Sequence, residues 1–445
     1  MLSSRLPKDL SPSPFFAELE RAKADVLAEC AGANTLPFID MTVSSPVKAG
    51  LPIDLDAVVD EGRESFGCWN PDAAGWMSAR EAVVEYYRER GGNFDAGQII
   101  LTASTSEAYS VLFKAFCDPG DVILTPMPGY PLLDTLAQLE HLECAPYFLK
   151  LRRENGPSTK LRGLTKFTEP AEVNAKSTFR FVLDTDSLLA SPERAKILLL
   201  VSPHNPTGHC ISREEWNEAV RFCEENHLIL VVDEVFGDYA FSDKVSRTWQ
   251  YVFNKNVIAR NEATKQSRND NSARENSCDN GPKCPIFWLN GLSKTVGSPQ
   301  LKLGWMAFYA PRDQFEPIRA ALEFVEDAYL SVSAPAQALG TALLSKASAV
   351  YEARVKERLL ANWQTLREAF PAKYCPEVLG GWYAVVRLGE DDEELTLRLL
   401  REKHVLVQPG FFFDFDEDGW VVVSLLAPPE QFKEAVSRMQ VLDRP

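Results

Sequence analysis

Apolar residues at helical spacing open the chain: Phe15, Phe16, Leu19, Ala22, Val26 and Leu27 follow a Ser-Pro-Ser-Pro entry and predict an amphipathic helix over 14–31. A short strand over 39–43, the loop Ser44-Ser45-Pro46, a helix over 56–65, a turn-rich linker at 69–75 and a helix over 79–90 come next. From Gln98 the texture changes. Short apolar runs alternate with helical periodicity, the pattern of a parallel sheet covered on both faces. Strands are predicted over 99–102, 121–125, 197–201, 228–232 and 286–289, with helices over 107–116 and 214–226. Two stretches interrupt them: 151–178, polar and irregular, reads as an elaborated surface loop, and 254–284, rich in Asn, Arg, Ser and Lys, as a disordered insertion. Beyond 311 the chain is strongly helix-forming over 334–370, then predicts strands at 380–388, 405–408 and 420–425 with helices over 393–403 and 429–439. That second texture predicts a smaller α+β domain.

Composition narrows the classes. A chain of 445 residues with 45% hydrophobic content can bury a large core and suits two domains better than one. The apolar runs at 197–201 and 228–232 fall far short of the about 20 residues a membrane helix needs, so no span is expected. The first ten residues lack a hydrophobic signal core, and nine scattered cysteines contain no Cys-x-x-Cys pair, so reduced thiols in a cytoplasm are expected. Five isolated histidines give no zinc pattern. A net charge of −16 repels polyphosphate chains and argues against nucleic-acid binding, which favours a small-molecule partner.

Candidate chemistry gathers where predicted strands end. Lys294 stands in a small-residue turn after the apolar run 286–289, with Lys302 eight residues on. A partly desolvated lysine on a rigid turn suits Schiff-base chemistry with a carbonyl, and a solvated loop lysine fits the same residues. Ser104-Thr105-Ser106 lies between a strand and a helix, where N–H groups and hydroxyls can hold a phosphate or simply cap the helix. Tyr130, between Gly129 and Pro131, can present a flat face to a ring ligand or pack internally. Two prolines and a glycine stiffen Ser202-Pro203-His204-Asn205-Pro206-Thr207-Gly208, so Asn205 can hold a preset direction, while His204 and His209 read as loop residues. Asp233 closes an apolar strand and needs a cation or strong donor, whether for structure or for function.

Four stretches in this order, Ser104-Thr105-Ser106-Glu107-Ala108, Asn205-Pro206-Thr207-Gly208, Asp233-Glu234-Val235-Phe236 and Ser293-Lys294 with Gly304-Trp305, resemble the class I/II aminotransferases among fold-type I pyridoxal-phosphate enzymes. The resemblance implies an α/β fold: a large domain over 76–311 with a mostly parallel, seven-stranded-type sheet covered by helices. It also implies a small α+β domain over 312–445, against which an N-terminal segment over 1–75 packs. Pyridoxal 5′-phosphate would be the cofactor, an amino acid and a 2-oxo acid the substrates, and a homodimer with its site near the subunit interface the assembly. In such an enzyme Lys294 would be the Schiff-base lysine and proton carrier, and Asp233 the partner of the pyridine nitrogen. Asn205 would meet the ring 3-oxygen, Tyr130 would stack on the ring, and Ser104, Thr105, Ser106, Ser293 and Lys302 would surround the phosphate.

The chain departs from the family pattern at several points. Phe236 stands where a tyrosine is usual, Lys302 replaces an arginine, and Trp69 matches the position of a partner-subunit tyrosine. The run Trp420-Val421-Val422-Val423-Ser424 lacks the arginine expected to bind the substrate carboxylate, which leaves Arg387, with Ser44 and Asn205, as substrate-binding candidates. A β-eliminating or cyclising lyase, and a catalytically silent relative with a binding or regulatory role, are the competing readings.

Overall fold

The computed structural model describes residues 3–7, 9–11, 13–31, 36–56, 58–153, 178–188, 193–253, 281–330, 332–389 and 391–441. Most of the two irregular stretches, 154–177 and 254–280, lies outside the described residues. The strands in chain order are β1 (Ile39–Asp40), β2 (Ile99–Thr102), β3 (Val122–Met127), β4 (Glu143–Arg153), β5 (Phe179–Leu183), β6 (Ala195–Val201) and β7 (Ile229–Asp233). They continue with β8 (Ile286–Gly291), β9 (Gly304–Tyr309), β10 (Tyr383–Arg387), β11 (Val405–Leu406), β12 (Gln408–Pro409) and β13 (Trp420–Ser424).

Eight strands form the large sheet, in the order β2-β9-β8-β7-β6-β3-β4-β5. The run from β8 through β7, β6 and β3 to β4 is parallel, whereas β9 is antiparallel to both its neighbours and β5 is antiparallel to β4. Alternation along the strands divides the core. Leu198, Leu200, Leu230, Val232, Trp288 and Trp305 join the cluster on one face, and Ile197, Leu199, Val231, Phe287, Leu289 and Met306 that on the other. Covering both faces is what makes β7 and β8 read as continuous apolar runs, and each such side chain contributes about 1.5–3 kcal/mol by leaving water. The result is a stiff platform whose strand ends can carry polar groups.

Local signals set the flanking helices. Ser13 caps the helix Pro14–Cys30, with proline at its first position, and Ser212 and Glu215 form a reciprocal capping box at Arg213–Asn226. Predicted and observed boundaries differ mainly where propensity competes with tertiary pairing. The expected strand over 39–43 contributes only β1, and the expected helix over 56–65 becomes Val59–Arg63 followed by a 3₁₀ turn, Glu64–Gly67. The helical stretch over 334–370 is two helices, Ala334–Lys346 and Ser348–Ala369, separated at Ala347, whose φ of −127° leaves the helical range.

The large sheet has one strand more than the seven-stranded expectation. Residues 151–153, expected as loop, extend β4, and β5 pairs with it. Lys150, Arg152 and Arg153 interleave with the apolar residues at this sheet edge, and charge on an edge strand hides the apolar run that marks an interior one.

A second sheet holds β10, β13 and β12, all antiparallel. The single strand expected over 405–408 divides at Val407: β11 pairs in parallel with β1, and β12 joins β13. The N-terminal helix lies on this part of the molecule, with Phe15, Leu19, Ala22 and Val26 packed against Leu400 and Leu406.

Candidate active site

Topology gathers the strand ends. Asp233 at the end of β7 is registered with Leu289 of β8, which runs on through Asn290 and Gly291 into the one-turn helix Leu292–Thr295 that carries Lys294. Gly304 of β9 lies opposite Gly291 on one side and Thr102 of β2 on the other. A Cβ on Gly304 would press on the Ser104 backbone carbon at 3.0 Å, so glycine lets the Ser104 turn and the Lys294 turn approach.

Asp233 and Lys294 keep partial solvent contact yet stand deep among protein atoms. Loss of water raises the Asp233 carboxyl above its ordinary range. The Val235 N–H donates to its Oδ1 at 3.0 Å, Tyr109 O–H donates to its Oδ2 at 2.7 Å, and the Lys294 charge adds to this opposition. Loss of water pushes the Lys294 amine down to about 8, against the pull of Asp233. The amine lies 4.7 Å from the centre of the Trp382 ring and 5.5 Å from that of Phe236, with its backbone carbonyl accepting the Tyr239 hydroxyl at 2.6 Å.

The turn after β6 runs alongside: Ser202 N–H donates to the Asp233 carbonyl at 3.0 Å, and Gly208 N–H donates to the His204 carbonyl at 2.8 Å. Asn205 presents a buried Oδ1 without a partner. His204 and His209, expected as loop residues, are in this turn but buried, His204 against Thr207 at 2.9 Å and His209 at 3.0 Å from Glu215. Ser104 caps the helix Thr105–Phe116 by accepting the Glu107 N–H, leaving Thr105 and Ser106 in its first turn. After β3 the chain closes tightly: a Cβ on Gly129 would lie 2.2 Å from the Pro126 carbonyl oxygen, and the Gly129 N–H donates to Phe413 at 2.8 Å. Tyr130, next along, is 46% exposed, and both burial and the nearby Asp233 charge raise its phenol.

The small sheet contributes a wall. Trp382 and Tyr383, at the start of β10, meet the Phe236 ring at 5.4 and 6.0 Å, and Ser44 hydrogen-bonds the Tyr383 hydroxyl. Ser293 is half-buried beside Lys294, whereas Lys302 is exposed, in a left-handed turn at φ 53°. Arg387 belongs elsewhere. It closes the opposite end of β10 from Tyr383, pairs with Glu417 and lies over Trp420 at 5.8 Å. Val422 of β13 faces Val385 and Gln408 in register and is wholly buried. Tyr109, Tyr239, Trp382 and Tyr383 are contacts that sequence reading missed. For Tyr109 a signal existed, since it sits one helical turn after Thr105.

Burial lowers the Lys294 amine to about 8 and raises the Asp233 carboxyl, and the Asn205 oxygen has no donor among the described residues, so the strand ends carry desolvated polar groups. A cofactor bearing an aldehyde and a ring N–H suits the first two, its ring oxygen can accept from the Asn205 side-chain NH2, and its phosphate suits the helix start at Ser104. Fold and site together define a fold-type I pyridoxal-phosphate enzyme. The sequence profile of the family described as "Aminotransferase class I and II" matches residues 63–439, and the chain belongs to that family. Among its relatives are an alanine aminotransferase of Mycobacterium bovis, 26% identical over 382 residues spanning 83% of this chain and 76% of that one, and a tyrosine aminotransferase of Bos taurus, 24% identical over 421 residues spanning 91% and 81%. The fold is similar to that of an aspartate aminotransferase from Thermotoga maritima, with a TM-score of 0.72 at 19% identity and 99% of each chain covered. The protein is thus an aminotransferase, and enzymes of this class and fold use pyridoxal 5′-phosphate.

Proposed function

We propose that this aminotransferase moves an amino group between an amino acid and a 2-oxo acid in two half-reactions, with Lys294 as the lysine that holds and releases the cofactor. The observation that carries this reading is the Lys294 amine, desolvated to about 8 and lying in the field of Asp233. When bound, pyridoxal 5′-phosphate supplies an aldehyde for amine exchange and a protonated ring that draws electrons from the substrate Cα. At neutral pH a useful fraction of Lys294 is uncharged, so it can act first as nucleophile and, once released, as the base and acid that moves a proton at the substrate Cα. Asp233 offers an anion to the ring nitrogen and Asn205 an amide to the ring oxygen. Tyr130 faces the ring, and Ser104, Thr105, Ser106, Ser293 and Lys302 serve the phosphate. Phe236 borders the same space with apolar contact alone, and Ser44, tied to Tyr383, lies on the substrate side. Arg387 has no part in the proposed site because Glu417 and the length of β10 keep it away.

The same reading extends to assembly. Phe66, Trp69, Phe324, Tyr329 and Leu330 are between 55% and 80% exposed, an apolar display that a second copy would cover in a homodimer. A cytoplasmic setting suits the free thiols of the described cysteines. Three parts, 1–75, 76–311 and 312–445, are our proposed division of the chain. Purified protein loaded with pyridoxal phosphate is expected to absorb in the visible and, given an amino donor alone, to form no more than one equivalent of product per site, with continued turnover only while a 2-oxo acid is present. Lys294→Ala should lose both the band and turnover. A band unchanged in that variant would overturn the role of Lys294, and product accumulating beyond one equivalent per site without an acceptor would favour a lyase.

A further inference from the structure

Asp233 and Tyr109 are 124 residues apart in sequence, yet the phenol hydroxyl donates to Asp233 Oδ2 at 2.7 Å. Tyr109 is 5% exposed, lies 6.1 Å ring to ring from Phe113, and belongs with Ile100, Val231 and Leu289 to the core on one face of the large sheet. Burial raises its phenol well above the ordinary value, and the Asp233 charge adds to this, so the hydroxyl stands as a donor to the carboxylate. The carboxylate has a second fixed donor, since Oδ1 accepts the Val235 N–H at 3.0 Å. Two donors from different elements, one on each oxygen, leave the carboxylate a single orientation. A carboxylate tethered only by its own turn would keep rotational freedom about its last bond.

Resting on the reading that Asp233 meets the ring nitrogen, we propose that Tyr109 is a positioning residue that holds the Asp233 carboxylate ionised and aimed at that nitrogen. Tyr109 touches neither substrate nor cofactor; it acts through Asp233. The cost of its loss is specific: Oδ2 becomes a buried acceptor without a donor, in a place where desolvation already works against the anion. What suffers is the attraction for a ring that bears an N–H. Shape, phosphate contacts and the lysine are untouched.

The test compares two probes on the full-length chain freed of cofactor: pyridoxal phosphate and its analogue with carbon in place of the ring nitrogen. Dissociation constants are measured by fluorescence for the unaltered protein, Tyr109→Phe and Asp233→Asn, with melting temperatures as a check on folding. The expected result is that Tyr109→Phe weakens pyridoxal phosphate by about tenfold and leaves the analogue's affinity unchanged, as for loss of one hydrogen bond to a charged group. A merely structural tyrosine would weaken both probes alike, and that outcome, or no change in either, overturns the proposal. Discrimination retained in Tyr109→Phe but lost in Asp233→Asn removes the role of Tyr109 and leaves that of Asp233. If the unaltered protein binds both probes equally, the reading of Asp233 fails and the proposal fails with it.

Discussion

Two buried charge clusters lie five residues apart in sequence, around Asp233 and around Asp238, and they are built on opposite principles. At Asp238 three donors converge on Oδ1: the Tyr86 hydroxyl at 2.8 Å, Arg90 Nε at 3.2 Å and Arg247 at 2.7 Å. Burial pushes the Asp238 carboxyl up, but Arg247 and Arg90 outweigh it and hold it below its ordinary range. At Asp233 burial prevails: its carboxyl is raised, and the one cation in its field among the described residues, Lys294, is itself pulled down to about 8. Two arginines neutralise Asp238 even though its Oδ2 has no partner among the described residues, whereas both oxygens of Asp233 accept a hydrogen bond and it is the charge balance that is left incomplete. Full neutralisation fixes structure, and incomplete neutralisation leaves groups ready to react. The first cluster also serves the second. Tyr86 accepts from Asn290, whose own oxygen accepts the Gly291 N–H at 2.7 Å and the Thr295 hydroxyl at 3.2 Å, and Tyr239 holds the Lys294 carbonyl.

The contrast can be broken from either side. Arg247→Met strips the Asp238 cluster of one cation and should cost on the order of 3–5 kcal/mol in urea unfolding, because a buried carboxylate is left short of a partner. A loss under 1 kcal/mol would mean that Asp238 is no anchor. Lys294→Met should act in the opposite direction on the cofactor-free protein. The lysine's ordinary value is 10.5 and its folded value about 8, so the unfolded chain binds the proton more tightly between those limits. The penalty is therefore complete below pH 8, shrinks as pH rises, and is gone above 10.5. The variant should be more stable by about 2 kcal/mol at pH 7, the figure being reduced for partial solvent contact, with the gain vanishing at pH 11. Equal stability of the two proteins at both pH values would refute a desolvated lysine. Arg387→Ala supplies the smallest effect and the scale for an ordinary pair: less than about 1 kcal/mol in unfolding and an unchanged KM for the amino donor. A KM raised tenfold would return Arg387 to the site.

How much of this was readable beforehand follows from range. The placement of Lys294, Asp233 and Asn205 at strand ends was legible because each terminates or follows an apolar run, and the large sheet's strand-to-helix alternation is a local pattern. The contacts of Tyr239 and Trp382 were not, because their partners are set by register between distant elements, and Tyr109 offered only its place one turn after Thr105, with nothing to name Asp233 as its partner. Arg387 shows the reverse error. Its residue type suited a carboxylate, but the pairing of Arg387 with Trp420, rather than with Ser424, puts it at the wrong end of the strand. The β4–β5 edge escaped notice since exposed charges interrupt its alternation.

The under-paired lysine can be tested most directly by chemical trapping. The protein is loaded with pyridoxal phosphate, reduced with borohydride at pH 8, digested, and mapped by mass spectrometry, with the unloaded protein as control. A single modified peptide, carrying the reduced adduct on Lys294, is the expected result. Stoichiometric label on Lys302 or on any other lysine, or none at all, would contradict the central claim that Lys294 is the residue kept reactive by incomplete pairing.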